Sequence, residues 1–504
     1  MQVASFRRGL APACALIALL AAGAVNAQPL EIGAPLLSSG TGDKPVQSDG
    51  QALQNLGLVG VARLPADTVD FLGDTLGSIS GMAIAPGSWK KDGEGYTARL
   101  YSLPDRGRNS PEDNEYSDYA GRLVEYDLSF VPGKSLSLKP TGKGIEFKDF
   151  NGKPTTGADP GPGLITEDGS VLPSPAEGAL GAGKVSLDAE AVAFQPDGSF
   201  YVGDEYAAGI YYFGPDGQMK GFIAPDPAIA PMKDGKLNDN SVKAPDTGRR
   251  NNQGIEAVSI TPDGKTLVAV LQSATLQDSS ASKDQANRAN TRIFLYDIAE
   301  NPTPKAPKAV YALTLPVIAS KGDGKIDKTA AQSEVVALDD HRFLVLSRDG
   351  NGLGAKPGVP EVFKVILLVD TTGATNLAGT EYETGTKPIA PAQDGKNVLD
   401  PAIKPVSTAI LLNLLNPDDL GRFGLNLHND KQDENTLSEK WEAMALVPAL
   451  DPAKPDDYFL FVGNDNDFLT KKGVMQGKAY SDKIDNPTTV LAYRLSLPGI
   501  KLGH

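Results

Sequence analysis

Asp188-Ala-Glu190-Ala-Val-Ala-Phe-Gln-Pro-Asp-Gly-Ser-Phe-Tyr-Val-Gly-Asp204-Glu205 reads as two short apolar strands around a turn. The Asp-Gly pair is a strong hairpin signal, because Gly accepts the positive φ that a tight turn demands. The pattern recurs. Gly254-Ile-Glu256-Ala-Val-Ser-Ile-Thr-Pro-Asp-Gly leads to a strand ending at Gln272-Ser273. Ser333-Glu334-Val-Val-Ala-Leu-Asp-Asp-His341 leads to Ser347-Arg348-Asp349. Trp441-Glu442-Ala-Met-Ala-Leu, after an insertion, leads to Gly463-Asn464-Asp465. A degenerate copy has Gly81 where the others have an acid and ends at Leu103-Pro-Asp105-Arg106. A third strand follows each copy, such as Ile293-Phe-Leu-Tyr-Asp297 or Val490-Leu-Ala-Tyr-Arg494. Three or four antiparallel strands per unit, repeated radially, predict an all-β protein with the β-propeller fold.

The copies start near residues 80, 189, 255, 333 and 441, an irregular spacing. Five copies are compatible with five to seven blades. Six is the expected number, since the gaps 128–186 and 371–439 hold either insertions or an undetected blade. Leu56-Gly-Leu-Val-Gly-Val-Ala-Arg63 is placed to pair with the last blade and close the ring, which removes free sheet edges. Residues 51–504 are thus expected to be a single propeller domain with long Gly/Pro-rich insertions (151–186, 228–250 and 371–405).

Ahead of it, Arg7-Arg8, an apolar run from Leu10 to Val25 and the small residues of Val25-Asn-Ala27 form a signal-peptide pattern over 1–27. The apolar run is short for a membrane span, so no span is expected after cleavage. Residues 28–50 read as a flexible lead-in. The expected location is periplasmic or secreted. The only cysteine, Cys14, lies inside the signal region, so disulfides are not expected. The chain of 504 residues has 48 Lys+Arg, 63 Asp+Glu and 3 His, a net charge of −15. That balance argues against a nucleic-acid partner, which needs a basic face, and against histidine-based metal centres. The oligomeric state is left open.

The order of several pieces resembles the phytase-like family, described as "esterase-like activity of phytase". They are Gly77-Ser-Ile-Ser-Gly-Met82, Leu103-Pro-Asp-Arg-Gly107, Asp188-Ala-Glu190, Val202-Gly-Asp-Glu205, Asn252-Gln-Gly-Ile-Glu256, Ser333-Glu334, Ser347-Arg-Asp349 and Gly463-Asn-Asp-Asn-Asp467. Together they run from about residue 56 to 497. The resemblance implies an exported bacterial propeller and a phosphoester hydrolase.

Glu190, Glu256, Glu334 and Glu442 recur at one repeat position, so symmetry should gather them around the axis. Converging carboxylates repel unless a cation or proton compensates. Calcium, which prefers six to eight oxygen ligands, is the expected cofactor, held by these four with Asp465 and Asp467. The alternative is that each Glu caps backbone amides between blades. Asp105, Arg106, Asp204, Glu205, Arg348 and Asp349 end second strands and are the catalytic candidates, with Arg108, Asn464 and the pair Arg249-Arg250 beside them. Arginine forks suit phosphate oxygens, and the expected substrate is a small anion, possibly one that is phosphorylated. Other readings are a metal-dependent carboxyl-ester or lactone hydrolase, or a non-catalytic binding or scaffolding propeller. Three other motifs fail on their residues. Gly178-x4-Gly183-Lys184 lacks the Ser/Thr of a phosphate loop, Gly77–Gly81 has Ile79 where a nucleophile elbow has Ser, and Asp323–Glu334 has Lys at EF-hand positions. His341 falls at a hairpin tip, where a surface role is expected.

Overall fold

A computed structural model of the chain describes residues 28–109, 116–161 and 163–502. The signal-peptide expectation for 1–27 lies outside the described residues. Five sheets carry the fold. Blade 1 is Gly81–Ile84, Gly95–Leu103, Arg122–Val131 and Ser135–Glu146, with a short flanking strand, Lys90–Asp92. Blade 2 is Ala189–Phe194, Phe200–Asp204, Ile210–Phe213 and Met219–Ile223. Blade 3 is Ile255–Ile260, Thr266–Leu271, Asn290–Asp297 and Ala309–Thr314. Blade 4 is Ala331–Ala337, Arg342–Arg348, Lys364–Asp370 and Ser407–Asn413. Blade 5 is Lys440–Pro448, Asp457–Asp465, Thr488–Ser496 and, from the other end of the chain, Gln51–Leu64. That last pairing is the expected closing strand: Val61 faces Leu491 and Ala62 faces Val490.

The innermost strand of each blade packs against the innermost strands of its two neighbours, and blade 5 meets blade 1. The ring therefore closes with five blades among the described residues, not the expected six. The gaps that left room for a sixth hold other things. Residues 128–186 contain the outer strand of blade 1 and the hairpin Leu164–Glu167/Ser170–Pro173, and 371–439 contain the outer strand of blade 4, a two-residue hairpin and the short helix Pro417–Gly421.

The core has the same fivefold plan, an apolar layer between each pair of blades. Leu123 and Leu103 meet Val202 and Tyr211 between blades 1 and 2, and Tyr201 and Ile210 meet Leu267 and Ala269 between 2 and 3. Val268 and Val270 meet Phe343 and Val345 between 3 and 4, and Leu344 and Leu346 meet Leu460 and Val462 between 4 and 5. Phe459 and Phe461 meet Leu100 and Tyr126 where the ring closes. Strands covered on both faces lose polar alternation, and all six residues of Thr266–Leu271 are buried. The Pro-Asp-Gly turns sit at the predicted tips, with Gly198 at φ 87° and Gly264 at φ 73°.

Residues 28–50 are less free than the composition suggested. Glu31–Ile32 pairs in parallel with Val317–Ile318, and the Leu36 N–H donates to the Val362 carbonyl at 2.9 Å. Among the described residues no helix is long and apolar enough to cross a membrane.

Candidate functional site

Two rings of side chains follow from strand register. The inner strand of blade 2 bulges between Ala189, which faces Asp204, and Ala191, which faces Gly203, leaving Glu190 unpaired. The same irregularity isolates Glu256 in blade 3 and Glu442 in blade 5. A bulge re-aims the extra residue, and here it turns each glutamate into the central cavity. In blade 4 the bulge falls one residue earlier, between Gln332 and Glu334, so Ser333 holds the equivalent place.

Glu334 is therefore a correction to the expected four-glutamate ring. Its carboxylate accepts from the Val335 N–H at 2.8 Å and from the Val258 backbone of blade 3. It seals the blade 3–4 interface, as the capping alternative had it. A one-residue slip exchanges the two faces of a strand, and that slip separates Glu334 from the other three.

The second ring is where the second strands end. Register aligns Asp105, Glu205, Gln272, Arg348 and Asp465, one from each blade, and all five line the cavity. Asp204, Asp349 and Asn464, beside three of them in the chain, do not. Asp204 accepts from the backbone N–H groups of Asp188 (2.8 Å) and Ala207 (2.6 Å). Asp349 accepts from Phe363 N–H (2.9 Å) and Lys364 Nζ (2.7 Å). Both are buried turn-forming carboxylates outside the cavity, a correction to their catalytic assignment. Asn464 binds the Thr489 N–H at 2.6 Å. Arg249 is fully buried, and its guanidinium donates to the carbonyls of Tyr206 and Asp239.

The cavity measures about 450 Å³, and eight carboxylates and four basic side chains line it among the described residues. Arg106 pairs with Asp188 at 2.6 Å and lies 5.7 Å from the Tyr206 ring centroid. Arg348 pairs with Glu442. Lys440, a residue the repeat did not single out, bridges Asp465 (3.1 Å) and Asp467 (2.5 Å). Asp188 and Lys440 precede the paired residues Ala189 and Trp441 and so hold one repeat position with opposite charges. Gln272 donates to Glu256 at 2.7 Å.

Other oxygens have nothing. Both oxygens of Glu205, one of Glu256 and one of Asp188 are buried without a donor. The carboxyl of Glu205 faces that of Glu256, another acceptor, so a bond between them needs a shared proton. Burial, with repulsion from Asp188, pushes Glu205 up to about 7. Burial also raises Glu442, to about 8, although Arg348 opposes it. Glu190 and Glu256 are raised well above the usual carboxylate range by burial and by neighbouring acids. Asp465 goes the other way: burial would raise it, but Lys440 and the Asp467 N–H hold it down.

Carboxylate oxygens of Asp105, Asp188 and Glu190 lie within 4.8 Å of one another. All are hard donors, and Asp188 has a buried oxygen unused, so the set fits calcium. Asp188 was not among the expected ligands, although its motif was.

The family model described as "Phytase-like: Esterase-like activity of phytase" matches residues 74–468, which takes in every residue of both rings. An "uncharacterized secreted protein" of the fungus Arthroderma benhamiae is 33% identical over 473 residues, 85% of this chain and 90% of the relative. Among solved structures, the major allergen Mala s 1 of Malassezia sympodialis covers 79% of each chain at 10% identity with a TM-score of 0.27. The PQQ-bound aldose sugar dehydrogenase of Streptomyces coelicolor covers 86% of this chain and 98% of its own at 13% identity with a TM-score of 0.26. The matched relative is fungal, so the bacterial origin implied by the resemblance finds no support. With its matched segment spanning most of the ring and every residue of both side-chain rings, the chain belongs to the phytase-like family.

Proposed function

We propose that the protein is an exported, calcium-dependent phosphoester hydrolase acting on a small anionic substrate in the central cavity. The observation that carries this is charge: eight carboxylates against four cations in one cavity, with buried oxygens of Glu205 and Glu256 in it, and of Asp188 beside Asp105 and Glu190, unpartnered. Such an arrangement calls for a cation or protons. Asp105, Asp188 and Glu190 would hold calcium, with Glu205 and Glu256 within the same cavity. Bound there, calcium would supply Lewis acidity toward a phosphoryl oxygen and lower the pKa of water. Arg106, Arg348 and Lys440 give the anion its cationic partners. Glu205, whose pKa is pushed up to about 7 and whose carboxyl faces Glu256, can take a proton from attacking water at the oxygen turned away from Glu256. Export is supported by the signal-peptide pattern and by the name of the fungal relative.

The test is a hydrolase screen of phosphomonoesters, p-nitrophenyl acetate and lactones, with calcium and with chelator. Phosphomonoester kcat/KM should fall about 100-fold or more on chelation and in Glu205→Gln. Turnover indifferent to both would overturn the reading. Turnover of acetate or lactone alone would move the reaction to carboxyl esters, and inactivity throughout would leave a binding propeller.

A further inference from the structure

Arg250 and Arg288 stand together on blade 3 without an acid. Arg250 lies two residues before Asn252, which lines the cavity. Arg288 ends the short turn Ala286–Arg288, and its carbonyl accepts from the Ala274 N–H at 3.4 Å, two residues past Gln272 of the second ring. Arg250 reaches Ser279 in the turn Gln277–Ser279, which packs against the turn that Arg288 ends, so the two lie at the same end of blade 3. No carboxylate acts on either guanidinium among the described residues, in a chain with 63 acids and 48 bases. The Arg250 Nε is buried with no acceptor. One of its Nη groups donates to Ser279 Oγ, whose own hydroxyl donates to the Thr275 carbonyl at 2.6 Å. The guanidinium is thus aimed by a strut tied to backbone.

Two like charges held partly out of water repel and lack the solvation that would offset it. Burial and Arg288 together bring Arg250 down to about 10. An arginine fork with an unused Nε–H is built to meet a planar or tetrahedral oxyanion through two parallel hydrogen bonds. A dianion would cancel both charges, where a monoanion would leave one.

We propose that Arg250 and Arg288 form an anion-binding site on the rim of blade 3 that takes a phosphate-type oxyanion. The site needs neither the metal nor the hydrolysis assigned to the cavity, so it stands or falls separately from them. It is tested on the full chain, freed of metal by chelation and dialysis, by calorimetric titration with inorganic phosphate and, in parallel, acetate. The expected result is one saturable phosphate site, weakened at least tenfold by Arg250→Gln and, independently, by Arg288→Gln. Lys90→Gln, at an exposed position on blade 1, removes the same net charge and should leave binding unchanged. No phosphate uptake, uptake unaltered by both arginine substitutions, or equal loss in Lys90→Gln would overturn the site. Acetate binding as tight as phosphate would overturn its dianion preference.

Discussion

The two halves of the cavity are built from equivalent strand positions, yet they solve the charge problem differently. On the blade 4–5 side, Arg348 meets Glu442, and Lys440 meets Asp465 and Asp467. The protein brings its own cations there. On the blade 2–3 side, Glu205 and Glu256 face each other with unpartnered oxygens, and Gln272, in the Arg348 position, offers only an amide. One repeat position holds Lys440 in one half and Asp188 in the other. The difference teaches that repetition sets where side chains go, whereas single substitutions decide whether a site is self-neutralised or needs an outside ion.

The largest effect expected on this contrast comes from Arg348→Met. It leaves Glu442 buried without its partner, and urea denaturation above pH 8, where Glu442 is ionised, should show a loss of about 3–5 kcal/mol. A loss below about 1 kcal/mol would mean that the blade 4–5 half is not self-neutralised. Glu205→Gln should do the reverse in metal-free protein. The folded pKa of Glu205 is raised to about 7 from an ordinary 4.5, so its contribution is full below pH 4.5 and is lost as pH rises through 7. Wild type should therefore lose up to about 3 kcal/mol of stability over that window relative to the variant. Parallel stability profiles for the two proteins would break the contrast. The smallest effect belongs to the ion itself. Calcium at about 100 times its Kd should add about 2.7 kcal/mol to wild type and markedly less to Glu190→Gln, read as a shift in thermal midpoint.

The fold was legible where chemistry repeats. Pro196-Asp197-Gly198 and Pro262-Asp263-Gly264 mark hairpins by their backbone demands, and each lies at a strand–strand turn. The closing strand was legible from its apolar run. The blade number was not, because outer strands such as Ser135–Glu146 and Ser407–Asn413 lie far from their motifs and resemble insertions. For the site, Glu190, Glu256, Glu442, Glu205 and Arg348 were found because acid-strand-turn-strand spacing places them. Glu334 and Asp349 were misread together. Their separation of 15 residues equals that of Glu190 and Glu205, but so does that of Ser333 and Arg348, and only the bulge chooses between them. Lys440 escaped because no other copy carries a base at that position.

The pairing of Gln51–Leu64 with Thr488–Ser496 also governs when the molecule can exist. More than 400 residues separate these partners, so the ring is an open arc until the last strand has left the ribosome. Blades 1 to 4 can each complete their own sheets, but the layer joining blades 5 and 1 waits for the whole chain. Loop-closure entropy for so long a span grows only slowly with length, whereas the search for a partner so remote in sequence slows folding. The clasp is thus a clock as well as a lock: it withholds the finished cavity from every shortened copy of the protein.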